Sequence, residues 1–140
     1  LLIGSRVAIT SVDEYLRKQR RAGERVLIYG AGRGGALLLR ELLENPRHGL
    51  SPVGFLDDDP AKLRLRIEGV PVLGSLDDLP RVIASHAPVE VLVSVHGLDR
   101  SRLGYLSSLC RTHRLRIRVM RFALEELGPV PHVRHDSQAS

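Results

Sequence analysis

Tryptophan is absent from these 140 residues, and the other aromatics are only three tyrosines and two phenylalanines. A core built from this chain must therefore be aliphatic, and no aromatic platform exists on which nucleic-acid bases would stack. One cysteine, Cys110, excludes an internal disulfide and any cysteine metal cluster. With no sign of an activated thiolate, it reads as packed on a helix. No apolar run approaches the roughly 18 residues of a membrane span, and no secretory signal pattern is present. Lysine is scarce: Lys18 and Lys62 stand against 19 arginines.

That scarcity bears on chemistry. The Tyr-x-x-x-Lys acid–base pair of sugar oxidation does not occur, because Tyr15, Tyr29 and Tyr105 are followed four positions later by Gln19, Arg33 and Leu109. Gly-x-Ser-x-Gly, the phosphate-loop signature ending in Gly-Lys-Ser/Thr and His-Glu-x-x-His are also missing. The six histidines are scattered without ligand spacing. Nothing in the chain reads as catalytic by itself.

What is present suffices for one domain. Hydrophobic residues make up 43% and charged residues 26%, with a formal net charge of +5. That charge suits a phosphate-bearing partner, an anionic surface or plain solvation. Residues 6–22 read as an amphipathic helix, with Val12, Tyr15 and Leu16 on one face and Arg17, Lys18, Arg20 and Arg21 on the other. Strands are expected at Arg25–Tyr29, Pro52–Leu56, Val70–Leu73, Val89–Val95 and Leu115–Val119. Helices are expected at Ala36–Glu44, Leu76–His86 and Asp99–His113, with a short helical turn at Ala123–Leu127. The chain divides into a basic N-terminal helix (1–23), a domain of alternating strands and helices (24–127) and a flexible tail (128–140).

Strands alternating with helices argue for an α/β, doubly wound parallel sheet covered on both faces. Five strands are expected in the order 3-2-1-4-5, with the ligand crevice between the first and fourth. In RLRIRVMR, Leu115, Ile117 and Val119 alternate with arginines. That suits a half-exposed edge strand whose charges discourage aggregation better than it suits a nucleic-acid surface.

The stretch RVLIYGAGRGGALLLREL, residues 25–42, carries the main functional signal. Gly30-x-Gly32-x-x-Gly35 has the spacing of the dinucleotide fingerprint, between a strand and a helix. Gly30 permits a sharp turn, Gly32 lets a diphosphate approach the backbone, and Gly35 lets helix pack on strand. Unpaired helix N–H groups then face the phosphates. Ala31, Arg33 and Gly34 complete the turn; Arg33 either contacts a phosphate or points to water. Asp57 lies 27 residues after Gly30, against roughly 20 in the fingerprint. An acid there is placed to accept from ribose hydroxyls, which favours NAD or a nucleotide diphosphate over a 2′-phosphorylated cofactor. His96, with Ser94 two residues earlier on the same face, sits where α/β sheets place ligands; it is either a wall of the site or an ordinary loop histidine.

RVLIYGAGRGGALLLRELLENP, PVGFLDDDPAK, IEGVPVLGSLDDLP and VEVLVSV, in this order, resemble the nucleotide-binding Rossmann domain of bacterial membrane-associated polysaccharide-biosynthesis proteins. These include nucleotide-sugar 4,6-dehydratases and polyprenyl-phosphate sugar transferases. The GFLDDDP turn also resembles the N-terminal domain of sugar acyltransferases that hold UDP-sugars. The resemblance covers residues 24–120. It implies a Rossmann-like domain that binds NAD or a UDP-sugar through Gly30, Gly32, Gly35 and Asp57 or Asp58, beside a separate catalytic module. The parent protein would be a nucleotide-sugar dehydratase or a sugar-phosphate transferase at the cytoplasmic face of the inner membrane. Its basic helix would either lie on anionic headgroups or dock on the domain. The alternatives are a part of an NAD-dependent nucleotide-sugar 4,6-dehydratase/epimerase, or a ligand-sensing homo-oligomerisation domain. The chain departs from the family at Arg33-Gly34 and at His96-Gly97, both at the expected crevice. It opens LLIGSRVAIT without a methionine, as a piece of a longer protein would.

Overall fold

The computed structural model describes residues 23–94 and 98–129. The expected helix at 6–22, the residue His96 and the tail from 130 onward lie outside the described residues.

The chain runs β1 (Glu24–Tyr29), α1 (Arg33–Glu44), β2 (Leu50–Leu56), β3 (Arg66–Ile67), β4 (Val70–Gly74), α2 (Leu79–His86), β5 (Glu90–Ser94), α3 (Arg100–Thr112) and β6 (Arg116–Met120). The sheet order is β3-β4-β2-β1-β5-β6. The five expected strands are all present in the expected relative order, and every pairing among them is parallel. The strand count is corrected to six. The two-residue β3 pairs antiparallel with β4 through Arg66–Pro71 and Ile67–Val70. Glu68 and Gly69 join them with φ of +48° and +84°, the two positive values that a tight type I′ hairpin requires.

β1 explains the layering. Val26, Leu27, Ile28 and Tyr29 are all buried, as a strand covered on both faces demands. Val26 and Ile28 join Leu38, Leu39 and Leu42 of α1, with Phe55, Val72 and Leu92. Leu27 and Tyr29 point the other way, into a cluster with Leu79 and Val82 of α2 and Leu106 and Cys110 of α3. One helix thus covers one face and two cover the other. Cys110 is buried as expected, and burial pushes its thiol up to about 11.

Two helical expectations change. The residues expected to open the second helix form a separate 3-10 turn, Leu76–Asp78. Ser75 and Asp78 cap it reciprocally, and α2 starts one residue later. Ala123–Leu127 forms no helix: residues 121–129 have no regular structure, and Leu124 and Leu127 are fully or largely exposed. A single turn without an apolar surface to pack on does not repay the ordering of its backbone.

β6 is an edge strand, as expected, but its arginines do more than face water. Arg118 binds the carboxylate of Glu90, a fully buried residue, through both Nε and Nη2, the latter at 3.0 Å. Arg116 pairs with Glu24 and stands 3.8 Å from Glu90. Among the described residues no helix is long and apolar enough to cross a membrane.

Candidate functional site at the carboxyl end of the sheet

The carboxyl ends of β1, β2 and β5 meet the start of α1 around an open cleft of about 630 Å³. Its floor is the glycine turn. Gly30 leaves β1 with φ of +98°, a conformation that side chains strain to adopt. Its N–H donates to the Leu56 carbonyl at 2.8 Å, so the turn stays tied to β2. A Cβ on Gly35 would stand 1.8 Å from the Gly30 carbonyl oxygen. The helix therefore crosses the turn at a distance that only glycine allows.

α1 begins at Arg33, one turn earlier than expected, so Arg33, Gly34 and Gly35 belong to its first turn. Gly32 is the N-cap, no side chain among the described residues caps the helix, and the first turn carries no acid. Ala36 N–H reaches the Gly32 carbonyl at 3.0 Å. The N–H groups before it open toward the cleft with the positive end of the helix dipole behind them. A Cβ built on Gly32 would meet only the Lys62 ammonium, 3.9 Å away. The approach to these amides is thus flanked by a cation.

The two acids named from the sequence have different situations. Asp57 accepts from the Ala31 N–H at 2.7 Å through Oδ2 and from the Asp59 N–H at 2.9 Å through Oδ1, and Lys62 Nζ lies 3.4 Å from Oδ2. Burial pushes its pKa up, but the two amides and Lys62 together outweigh burial and hold it below the usual carboxylate range. Its Oδ1 keeps acceptor capacity for a further donor. Asp58 is committed to the scaffold. It accepts from the Tyr29 phenol and from the Leu76 N–H at 3.1 Å, and Arg102 Nε lies 3.6 Å away. Burial, then the Asp58 contact, pushes the Tyr29 phenol well above its ordinary value.

On the far side of β1 stands Ser94, the last residue of β5. It lines the cleft with Leu98, is 4% exposed, and its hydroxyl has no hydrogen-bond partner among the described residues. Such a group costs about 1–3 kcal/mol in the folded state.

The structure therefore brings Gly30, Gly32, Arg33, Gly34, Gly35, Asp57 and Asp58 to one cleft, with Ala31 bound to Asp57 beside them. Reasoning from sequence missed Lys62, Tyr29 and Arg102. Among the described residues no three His, Cys, Asp or Glu side chains are placed to hold a metal ion.

A glycine turn at the switch point of an open parallel sheet, feeding an uncapped helix and facing an acid at the end of the next strand, defines a Rossmann-type nucleotide-binding domain. Within that class the chain belongs to the CoA-binding domain family, whose model matches residues 1–120. It is 32% identical over 117 residues to the probable polysaccharide biosynthesis protein EpsC of Bacillus subtilis (strain 168), a match over 84% of this chain and 20% of that protein. It is 29% identical over 111 residues to the capsular polysaccharide biosynthesis protein CapD of Staphylococcus aureus, over 79% of this chain and 18% of that one. The chain thus spans about a fifth of the length of the curated relatives it matches. Among solved structures, the UDP-D-quinovosamine 4-dehydrogenase of Vibrio fischeri matches with a TM-score of 0.58 and 28% identity, over 73% of this chain and 80% of that one. The Rex-family repressor RSP, in complex with β-NADH, shares the fold with a TM-score of 0.58 and 16% identity, over 78% of this chain and 50% of that one.

Proposed function

We propose that this domain binds a nucleotide through its diphosphate, as the ligand-binding module of a larger polysaccharide-biosynthesis protein whose chemistry is carried elsewhere. The uncapped, acid-free start of α1 beneath Lys62 carries this reading. The phosphates rest on the amides of the Gly32–Gly35 turn, Lys62 and Arg33 supply counter-charge, and Asp57 accepts from a ribose through Oδ1. Asp58 positions the strand ends and does not meet ligand. NAD and UDP-sugars fit this arrangement, and the name of the family adds coenzyme A.

The titratable groups on the cleft support a binding role over a catalytic one. The Tyr29 phenol is driven away from neutral pH and already donates to Asp58. Asp57 is held in its charged form by the groups around it. Neither is poised to exchange a proton near pH 7. The parent protein is a nucleotide-sugar dehydratase or sugar transferase in this reading.

Gly32→Asp tests the proposal. Its side chain has open space and an N-cap position that favours aspartate, so the melting temperature is expected to hold or rise. The new charge sits where phosphate would lie, so calorimetric affinity for NAD+, UDP-N-acetylglucosamine or coenzyme A is expected to fall roughly tenfold or more, about 1.4 kcal/mol. Unchanged affinity in the variant, or no binding to wild type at millimolar ligand, overturns the reading.

A further inference from the structure

Both faces of a parallel sheet need helices over them. Neighbouring strands lie about 4.8 Å apart and a helix is about 10 Å across, so one helix covers roughly two strands. Two helices, α2 and α3, pack on one face of this sheet; among the described residues α1 alone packs on the other. On that face β1, β2 and β5 carry buried residues of the α1 cluster, and β6 lies beyond them at the edge. A groove of about 300 Å³ runs there between α1 and the edge strand. Leu38 and Leu42 of α1, Leu92 of β5 and Met120 of β6 give it an apolar lining, and Leu50 at the start of β2 also borders it.

The sequence holds a segment fit to fill it. Ala8, Ile9, Val12, Tyr15 and Leu16 follow the i, i+1, i+4, i+7, i+8 spacing of a helix's apolar stripe. A helix over 6–22 would be about 25 Å long, enough to run the length of β6, about 17 Å for its five residues. The chain also enters β1 beside the groove. A Cβ on Gly23 would stand 2.7 Å from the Gly49 carbonyl oxygen and 2.9 Å from the carbonyl carbon of Leu50, the residue that borders the groove. A helix joining β1 at that end would run antiparallel to the strands, as α1 does. Residues 130–140 offer two valines and no such stripe.

We propose that residues 6–22 form the second helix of this face, seating Val12, Tyr15 and Leu16 in the groove between α1 and β6. The segment is then an integral part of the domain, and its Arg17, Lys18 and Arg21 point away from the sheet. The proposal stands apart from the nucleotide-binding reading.

The chain has no tryptophan, so Tyr15→Trp in the 140-residue protein gives a single reporter on the seated face. Its emission is expected to be blue-shifted, and its quenching by acrylamide several-fold weaker than in the urea-unfolded chain. Both should hold without lipid and over a roughly hundredfold range of protein concentration. Met120→Asp, added to the reporter chain, puts a charge on the groove wall. It should carry the emission most of the way to the unfolded-chain value. Leu63→Asp, beside the opposite edge of the sheet and 48% exposed, should leave it unchanged. Far-UV circular dichroism checks that each variant is folded. If Met120→Asp does not fold, Leu16→Asp in the wild-type chain replaces it, read by amide hydrogen exchange: residues 116–121 should exchange several-fold faster than in wild type, and residues 66–74 at the wild-type rate. A freely quenched indole in the reporter chain overturns the proposal. So does shielding that appears only at high concentration, which names a second copy, or only after phosphatidylglycerol vesicles are added, which names a membrane surface. Shielding that survives Met120→Asp, or is lost equally in Leu63→Asp, removes the groove as its seat and overturns the proposal too, as does unchanged exchange at residues 116–121 in Leu16→Asp.

Discussion

The two ends of the same parallel sheet treat charge in opposite ways. At the amino end, Glu90 is fully buried and is closed off by Arg118 and Arg116, with Glu24 taking the remaining guanidinium contact. Donors and acceptors there are matched. At the carboxyl end, among the described residues, no side chain caps the helix amides, a lysine stands over a bare glycine, and a buried hydroxyl has no partner. One end is an internal ion cluster complete without any guest. The other presents donors, uncapped by any described side chain, of the kind that suits an anionic, hydrogen-bonding guest. Net charge does not separate them, since both hold arginine or lysine beside carboxylates. Completeness of pairing does.

The largest effect should come from the glycine that sets the geometry of the open end. In Gly35→Ala the new methyl would stand 1.8 Å from the Gly30 carbonyl oxygen and 3.3 Å from the Phe55 ring. Both the turn and α1 must shift. Chemical denaturation is expected to show a loss of about 3 kcal/mol, the upper range for overpacking. A loss below about 1 kcal/mol would mean that the close crossing is not what holds the turn.

The closed end comes next. Arg118→Met leaves the Glu90 carboxylate buried with Arg116 as its remaining cation. Breaking a buried pair costs about 3–5 kcal/mol, and the 59% exposure of the Arg118 side chain lowers the expectation to about 2 kcal/mol. The double variant Glu90→Leu with Arg118→Met should recover most of that loss, because an apolar pair has no charge left to solvate. If the single variant is neutral, the comparison between the ends loses its closed member.

How far each end was readable follows from the range of the interactions that build it. The turn, α1 and the five long strands are short-range patterns, an apolar run followed by glycines at fixed spacing, and they were legible. The start of α1 was not: Gly34 and Gly35 are poor helix formers, yet they sit in its first turn because packing on Gly30 requires it. β3 was missed because two residues carry no periodicity, although Glu68-Gly69 did offer a hairpin turn. Glu90 reads as one charge inside VEVLVSV, and its partners arrive from β6, 26 and 28 residues further on. Lys62 belongs to a loop with no spacing rule that ties it to Gly32. That Ser94 has no partner among the described residues is a property of three dimensions alone.

Acid titration separates the ends at moderate cost. The folded-state pKa of Asp57 lies below its ordinary value, which is near 3.9 in an unfolded chain. Its contribution is therefore fully present above about pH 4 and fades as pH falls through the folded value. Asp57→Asn is expected to lose about 1–2 kcal/mol at pH 7, the scale of hydrogen bonds to a charged group. That deficit should shrink as the solution is taken below pH 4. Urea denaturation of both proteins at pH 7 and pH 3 measures it. A deficit that is the same at both pH values would show that the carboxylate's charge does not hold the Ala31 and Asp59 amides.

The smallest change in stability should accompany Lys62→Met, and it sharpens the comparison most. Lys62 is one-third exposed and 3.4 Å from Asp57, so removing its charge should cost under about 1 kcal/mol, as for other exposed pairs. Arg118→Met also deletes one cation facing one carboxylate and is expected to cost at least twice as much. Ligand affinity should reverse that ranking. Without Lys62, ADP or a diphosphate diester loses a charged contact beside the α1 amides. Its affinity is expected to drop roughly tenfold, about 1.4 kcal/mol, with a shallower dependence on salt because one screened attraction is gone. Arg118→Met, at the other end of the sheet, should leave affinity unchanged in any fraction that folds. If Lys62→Met binds as wild type does and loses stability as Arg118→Met does, then both cations serve the fold and the carboxyl end holds no reserved charge for a guest.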